Sequence, residues 1–303
     1  MSARLLAAAL LAAVAAQPAA AESLRLCDHG AALTAAQQDR LLRFAAVARQ
    51  ALDASGAGTV LVARSGLDLS RFGLRYSHAG VGLHAPASGS DPGTWSVRQL
   101  YYACDEGRPR LYDQGLGGFV SGTDDPSVGY LSILLLPPAE GRALAQAALD
   151  RQRAMHLLSP SYSANAYPWS RLHQNCNQWV VELLAVAWGA PPDAPDLRVP
   201  AQQWLAAQGY DPAAVPVGSH ALMFAAHFVP WLRLDDHPAE DRYALQFRTS
   251  VPASIEAFVR ARLPATRRIE LCHDERQIVV RDDGPPIADG CRPGPGDRVI
   301  PFE

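Results

Sequence analysis

The sequence predicts an α+β fold: a run of strands flanked by helices, without regular βαβ alternation. Three observations predict it. Strand-like runs at residues 59–64, 76–83, 95–102 and 129–136 follow one another with no helix pattern between them. Helix patterns stand on either side of that run, at residues 35–55, 139–155 and 175–188. The 303 residues are 49% apolar and 19% charged, a globular balance that is too apolar and too weakly charged for disorder.

Each element has its own warrant. Residues 35–55 are alanine-rich, carry Leu41, Leu42, Phe44 and Ala45 among polar residues, and stop before Gly56. Residues 59–64 are a short β-branched run. The strands at 76–83 and 95–102 are joined by a Gly/Ser/Pro/Asp turn, and the strand at 129–136 is stopped by Pro137 and Pro138. The helix at 139–155 places Leu144 and Ala148 on its apolar side. Residues 159–173 have turn composition with several aromatics. The helix at 175–188 is closed by Gly189 and Pro191. The Pro-rich stretch 191–216 allows a short helix around Gln203. Beyond it stand a helix at 254–262 and strands at 267–271 and 277–281. There is no internal repeat.

Residues 1–21 are expected to be a secretory signal peptide. Arg4 opens them, a Leu/Ala-rich run follows from Leu5, and small residues precede Glu22. Gln17 and Pro18 break the run, which makes it a poor permanent span, and no later segment reaches about 18 uninterrupted apolar residues. Leu24, Arg25 and Leu26 before Cys27 are the wrong residues for a lipoprotein site. The expected mature chain of 282 residues (303 − 21) is periplasmic or secreted. It divides into a core at 22–216 and a C-terminal α/β extension at 217–303, packed on that core.

The charge balance excludes several functions. All 27 basic residues are Arg, against 30 acidic ones, for a net charge of −3. Without lysine there is no Walker A lysine, no Schiff base and no Ser–Lys dyad. The near-neutral balance argues against a nucleic-acid partner. The nine His residues show no HExxH spacing, so no metal is expected, and no cofactor. There is no GxSxG elbow. Gly115, Gly117 and Gly118 lack a clear strand-then-helix frame for a dinucleotide; they either line a cleft or make a plain turn. Asp124 and Asp125 read as a solvated turn.

The local chemistry centres on His173-Gln174-Asn175-Cys176-Asn177-Gln178-Trp179. Asn175 suits an N-cap, which makes Cys176 the first helical residue. Trp179, Val180, Leu183, Leu184 and Ala187 then form one apolar stripe. A thiol at a helix N-terminus is expected to have a lowered pKa; the plainer reading is a buried structural cysteine. His78 opens a strand of small residues, with Gly80 and Gly82 permitting close approach, and imidazole suits proton transfer near neutrality. A helix-start Cys and a strand-start His make the two parts of a thiolate–imidazole pair. Gln99 on the next strand is the candidate for orienting the ring, with His84 as the alternative. Tyr162, Asn165, Tyr167 and Trp169 form an aromatic, polar loop before the helix; it either binds substrate, with Asn175 beside it, or covers the helix entrance. Trp204, Phe224, Phe228 and Trp231 read as core. Of the five cysteines, Cys27–Cys104 and Cys272–Cys291 are the expected disulfides and Cys176 the free thiol, although spacing alone leaves other pairings open.

The order His78, Gln99, Cys176 resembles the circularly permuted NlpC/P60 group of papain-like thiol hydrolases. The combination of Tyr76-Ser77-His78-Ala79-Gly80, Tyr112-Asp113-Gln114-Gly115-Leu116-Gly117, residues 160–168 and Gln174-Asn175-Cys176-Asn177-Gln178-Trp179 resembles, more closely, the bacterial family called domain of unknown function 2145. The likeness covers most of the chain from Leu24 onward. It implies a small antiparallel sheet with the Cys helix packed against it, and cleavage or transfer at an amide or ester. The expected substrate is a peptide, a peptidoglycan fragment or a lipid-like acyl compound. The competing expectations are a non-catalytic envelope binding protein on the same fold and a thiol acyltransferase or lipid esterase. A redox role is disfavoured because no CxxC occurs.

Overall fold

The computed structural model describes residues 33–85, 93–104, 106–191 and 194–302. The expected signal peptide and Cys27 lie outside the described residues, as does most of the turn expected between the strands of His78 and Gln99. Among the described residues no helix is long and apolar enough to cross a membrane.

The chain is α+β. Helix α1 (Ala35–Ser55) starts on a reciprocal cap, in which Thr34 Oγ1 accepts from the Gln37 amide and Gln37 Oε1 accepts from the Thr34 amide. It ends at Gly56, whose φ of 69° is the left-handed conformation that glycine adopts without strain. Five strands follow: β1 (Thr59–Arg64), β2 (His78–Ala85), β3 (Thr94–Ala103), β4 (Arg108–Gly115) and β5 (Gly129–Leu135), with the short helix α2 (Leu116–Ser121) between the last two. Then come α3 (Pro138–Leu149), α4 (Arg151–His156), α5 (Cys176–Trp188) and α6 (Arg198–Ala207). The remaining elements are β6 (Ala213–Pro216), α7 (His220–Ala225), α8 (Ala239–Tyr243), β7 (Gln246–Thr249), α9 (Pro252–Arg262), β8 (Arg267–His273), β9 (Gln277–Asp282) and β10 (Arg298–Pro301).

Eight strands form one sheet in the order β10-β9-β8-β5-β1-β2-β3-β4, with every neighbouring pair antiparallel. Alternation along the strands splits the core into two layers. Val60, Val62, Val97, Leu131, Ile133 and Leu271 face α1 and α2, where Phe44, Leu52 and Phe119 cover them. Leu61, Val81, Leu100 and Leu134 face the other way, against Leu144 of α3, Trp179, Leu183 and Leu184 of α5, and Val259 of α9.

Four features depart from expectation, each for a physical reason. The helix expected at 139–155 is two helices, because Asp150 leaves helical geometry and its Oδ1 caps α4 by accepting from the Gln152 and Arg153 amides. Helix α5 has no exposed face: every residue from Cys176 to Val186 is buried, including Asn177, Gln178 and Glu182, because sheet, α3, α6 and α9 surround it. Strand β4, followed directly by α2, supplies the strand-then-helix frame thought to be missing around Gly115. The sheet is large rather than small, because β8 to β10 extend it from β5. Strand β6 pairs with β7 across residues 216 and 217, and β8 belongs to the central sheet.

Cys272 and Cys291 are bridged, with Cα atoms 5.6 Å apart, within the reach of a disulfide. Cys104 is also disulfide-bonded. Cys176 is free and buried.

Candidate functional site: a helix-start thiol beside a carboxamide-held imidazole

The site forms where the N-terminus of α5 meets the ends of β1, β2 and β3. Asn175 caps α5, its Oδ1 accepting from the Gln178 amide at 2.7 Å. Its Nδ2 donates to the Ala164 and Ser250 carbonyls and to Thr249 Oγ1, which leaves it no free donor for a substrate. Cys176 thus starts the helix. The next residue, Asn177, donates from Nδ2 to the Ser77 carbonyl at 3.1 Å. That bond joins the helix start to the residue preceding His78, so thiol and imidazole are each one residue away from the same link.

A short polar chain holds the imidazole. His78 Nε2 lies 2.5 Å from Gln99 Oε1, and Gln99 Nε2 donates to Gln114 Oε1 at 2.7 Å. Because the Gln99 amide nitrogen is committed to Gln114, its oxygen accepts, and His78 carries its proton on Nε2. Nδ1 is left as the basic atom. Gly80 makes room for this arrangement: a Cβ there would sit 2.5 Å from Val97 Cγ1 and 3.5 Å from Gln99 Cβ. Gly118 does the same for Gln114, whose side chain a Cβ would meet at 2.7 Å. Part of the glycine-rich stretch therefore supports the relay. His84 lies tilted against Trp95, with ring centroids 5.0 Å apart.

The pair is neutral at rest. Burial pushes the Cys176 thiol up to about 11, against the lowering by the amides of Asn177 and Cys176, the Arg64 guanidinium and the Tyr162 hydroxyl. The helix start acts in the expected direction, but desolvation outweighs it. Burial, reinforced by Arg64, holds His78 down to about 3. Cys176 and His78 keep 7% and 8% exposure. Among the described residues no hydrogen bond joins the Cys176 thiol to the His78 ring.

Of the four expected substrate-binding residues, Tyr162 is at the thiol, where its hydroxyl acts on Cys176 while its ring stacks on Tyr102 with centroids 5.1 Å apart. Asn165 instead donates to the Arg233 carbonyl and accepts from Ser163 Oγ and the Arg233 amide. The Tyr167 amide donates to Asp236. Together with the cap residue Asn175, these groups brace the loop before α5. Trp204 packs partly buried against the core, whereas Phe224 and Phe228 are exposed, contrary to expectation.

Sequence reasoning missed three supports. Glu182 is a buried carboxylate that accepts from Arg198, Gln202, Gln174 and Gln178. It fixes Gln174, the residue before the cap. Glu270 of β8 accepts from the Tyr76 hydroxyl at 2.5 Å and from Arg75 at 2.9 Å, pinning the approach to His78. The third is Arg64, at the end of β1. A charged residue closing an apolar strand was its one sequence signal. Among the described residues His173, Asp235 and Asp236 form a group whose ligand atoms lie within 4.8 Å of one another. His173 is already engaged there by Ser161 and Asp235. A surface depression lined by Gln208, Asp211, Phe258 and Arg262 contains none of the groups at the thiol.

Fold and site define an α+β protein with a thiol and an oriented imidazole at one end of an antiparallel sheet. The chain belongs to the family described as uncharacterized protein conserved in bacteria (DUF2145), whose model matches residues 51–259. That span includes His78, Gln99, Tyr162 and Cys176 and ends inside α9. No curated protein and no solved structure matches the chain.

Proposed function

We propose that the protein is an exported thiol hydrolase of the amidase or peptidase kind, built on a permuted papain-like arrangement related to NlpC/P60 enzymes. The carrying observation is the Gln114–Gln99–His78 chain, which leaves Nδ1 basic, together with the Asn177–Ser77 bond that ties the helix start of Cys176 to the residue before His78. Because the pair rests neutral, His78 acts as a general base rather than as a standing imidazolium. With substrate bound, the thiol turns toward Nδ1 and gives up its proton as sulfur attacks the carbonyl carbon. The Cys176 backbone N–H stabilises the tetrahedral oxyanion. Nδ1–H then protonates the leaving nitrogen or oxygen, and a thioester remains on Cys176. Water, deprotonated by Nδ1, hydrolyses the thioester, releasing the acid and restoring the thiol. No cofactor takes part. Cell-wall peptides suit the expected compartment, as does the Cys272–Cys291 disulfide.

One observation favours a second reading, a non-catalytic binding protein on the same fold: the thiol and the imidazole are not hydrogen-bonded to each other and burial holds both neutral. p-Nitrophenyl acetate separates the two. The hydrolase gives an acetyl adduct on Cys176, seen by peptide mass spectrometry, that is lost in Cys176→Ala and slowed in His78→Ala. Acetylation at the same rate in His78→Ala and in the wild type would refute the hydrolase reading.

A further inference from the structure

One cation acts on both the thiol and the imidazole, and among the described residues no carboxylate pairs with it. Arg64 stands directly across from His78 in the register of β1 and β2 and is buried, at 5% exposure. Its guanidinium donates to the Tyr101 hydroxyl and to the Ser65 carbonyl, each at 3.3 Å, and lies 5.5 Å from the centre of the Phe119 ring. Its Nε has no partner, and among the described residues no carboxylate forms an ion pair with it. Asp124 feels this charge from an exposed position and forms no ion pair with it. The backbone fixes the guanidinium in place. A Cβ on Gly66 would meet Nη1, and one on Gly122 would sit 2.6 Å from Nη2. A buried cation without a counter-charge is strongly unfavourable. An anion bound at the guanidinium would offset that cost.

We propose that Arg64 is the anion-binding element of the Cys176 site and takes a carboxylate carried by the substrate. This rests on the thiol-hydrolase reading and deepens it by naming a substrate class: acyl compounds with a carboxylate near the bond that is cleaved. The guanidinium N–H groups are the donors for it. Binding also readies the base. In the empty site Arg64 opposes protonation of His78; a carboxylate on Arg64 cancels that opposition, so the imidazole accepts the thiol proton more easily.

Two alkylating reagents of similar size and different charge test this on the full chain. Ordinary thiolates react faster with neutral iodoacetamide than with anionic iodoacetate, because like charges repel. At Cys176 the wild type should take iodoacetate at least as fast as iodoacetamide. Arg64→Gln should lower the iodoacetate-to-iodoacetamide rate ratio about tenfold, and Arg64→Lys should keep most of it. An unchanged ratio in Arg64→Gln overturns the anion site and leaves the thiol reading intact. If neither reagent labels Cys176 in the folded chain at about pH 9 while both label it after denaturation, the thiol reading fails instead. Thermal unfolding then decides the anion site by itself. Succinate should raise the Tm of the wild type and not that of Arg64→Met, which keeps an unbranched apolar stem and removes the charge. An equal succinate response in the two proteins overturns the proposal.

Discussion

Acidification should unfold this protein through its buried histidines. His78 is held down to about 3 and His273 to about 4, in both cases chiefly by burial. Each ring is 6.5 when unfolded. A base whose pKa is depressed by folding binds fewer protons folded than unfolded, so its contribution to stability is complete above about pH 6.5 and declines as the pH falls toward the folded value. At pH 5 both folded values still lie below the solution pH, so the native rings stay neutral while the unfolded ones are charged. From pH 7 to pH 5 each histidine therefore withdraws about 2 kcal/mol, and the two together about 4 kcal/mol. His237, also lowered by burial, adds to the loss. Glu182, which burial raises, opposes it. Substitution isolates the histidine part. Urea unfolding followed by tryptophan fluorescence at pH 7 and pH 5 should show His78→Gln and His273→Gln each losing about 2 kcal/mol less than the wild type over that interval. Single variants that lose as much as the wild type would refute the reasoning.

Other outcomes follow from the site and its braces. Gln99→Ala should lower turnover of an activated ester by about tenfold or more, yet less than His78→Ala or Cys176→Ala, while Gln99→Asn keeps part of the activity; steady-state kinetics measures the order. Glu182→Ala leaves Arg198 buried without its partner and should cost about 3–5 kcal/mol of stability, read from the urea midpoint. Cys272→Ser opens a loop with a sequence separation of 19 and should cost about 3 kcal/mol, with a matching fall in Tm.

Much of this fold is legible in the sequence where local signals agree with packing. The bounds of α1 and β1 follow from the glycine after the helix and the β-branched run, and the start of α5 follows from Asn175. The signals fail where tertiary context decides. Strand β4 carries Arg108, Pro109 and Arg110, a solvated sequence that becomes a strand because it pairs with β3 at the edge of the sheet. Proline and charge are tolerated at such an edge. The break at Asp150 is hidden because aspartate is unremarkable inside a helical pattern until its side chain caps the next helix. At the site, His78, Gln99 and Cys176 are visible as residue types in suitable places. Arg64 and Gln114 are not, since their roles arise from strand register alone. Asn165 and Tyr167 carry the chemistry of a binding loop, but their hydrogen bonds turn inward.

The position of β8 governs the order in which the molecule can assemble. β5 pairs with β1 on one side and with β8 on the other, and β8 begins at Arg267, after the helices α3 to α9 and two small strands. As a chain grows from its N-terminus, the strands that carry His78 and Gln99 and the helix of Cys176 all emerge while one flank of β5 still lacks its neighbour. Glu270, which anchors the segment before His78, emerges with that late strand. The nascent protein thus passes through a stage with a nearly complete thiol site and a bare row of backbone donors and acceptors along β5. At that stage it is open to pairing with other chains, and release from the ribosome ends it.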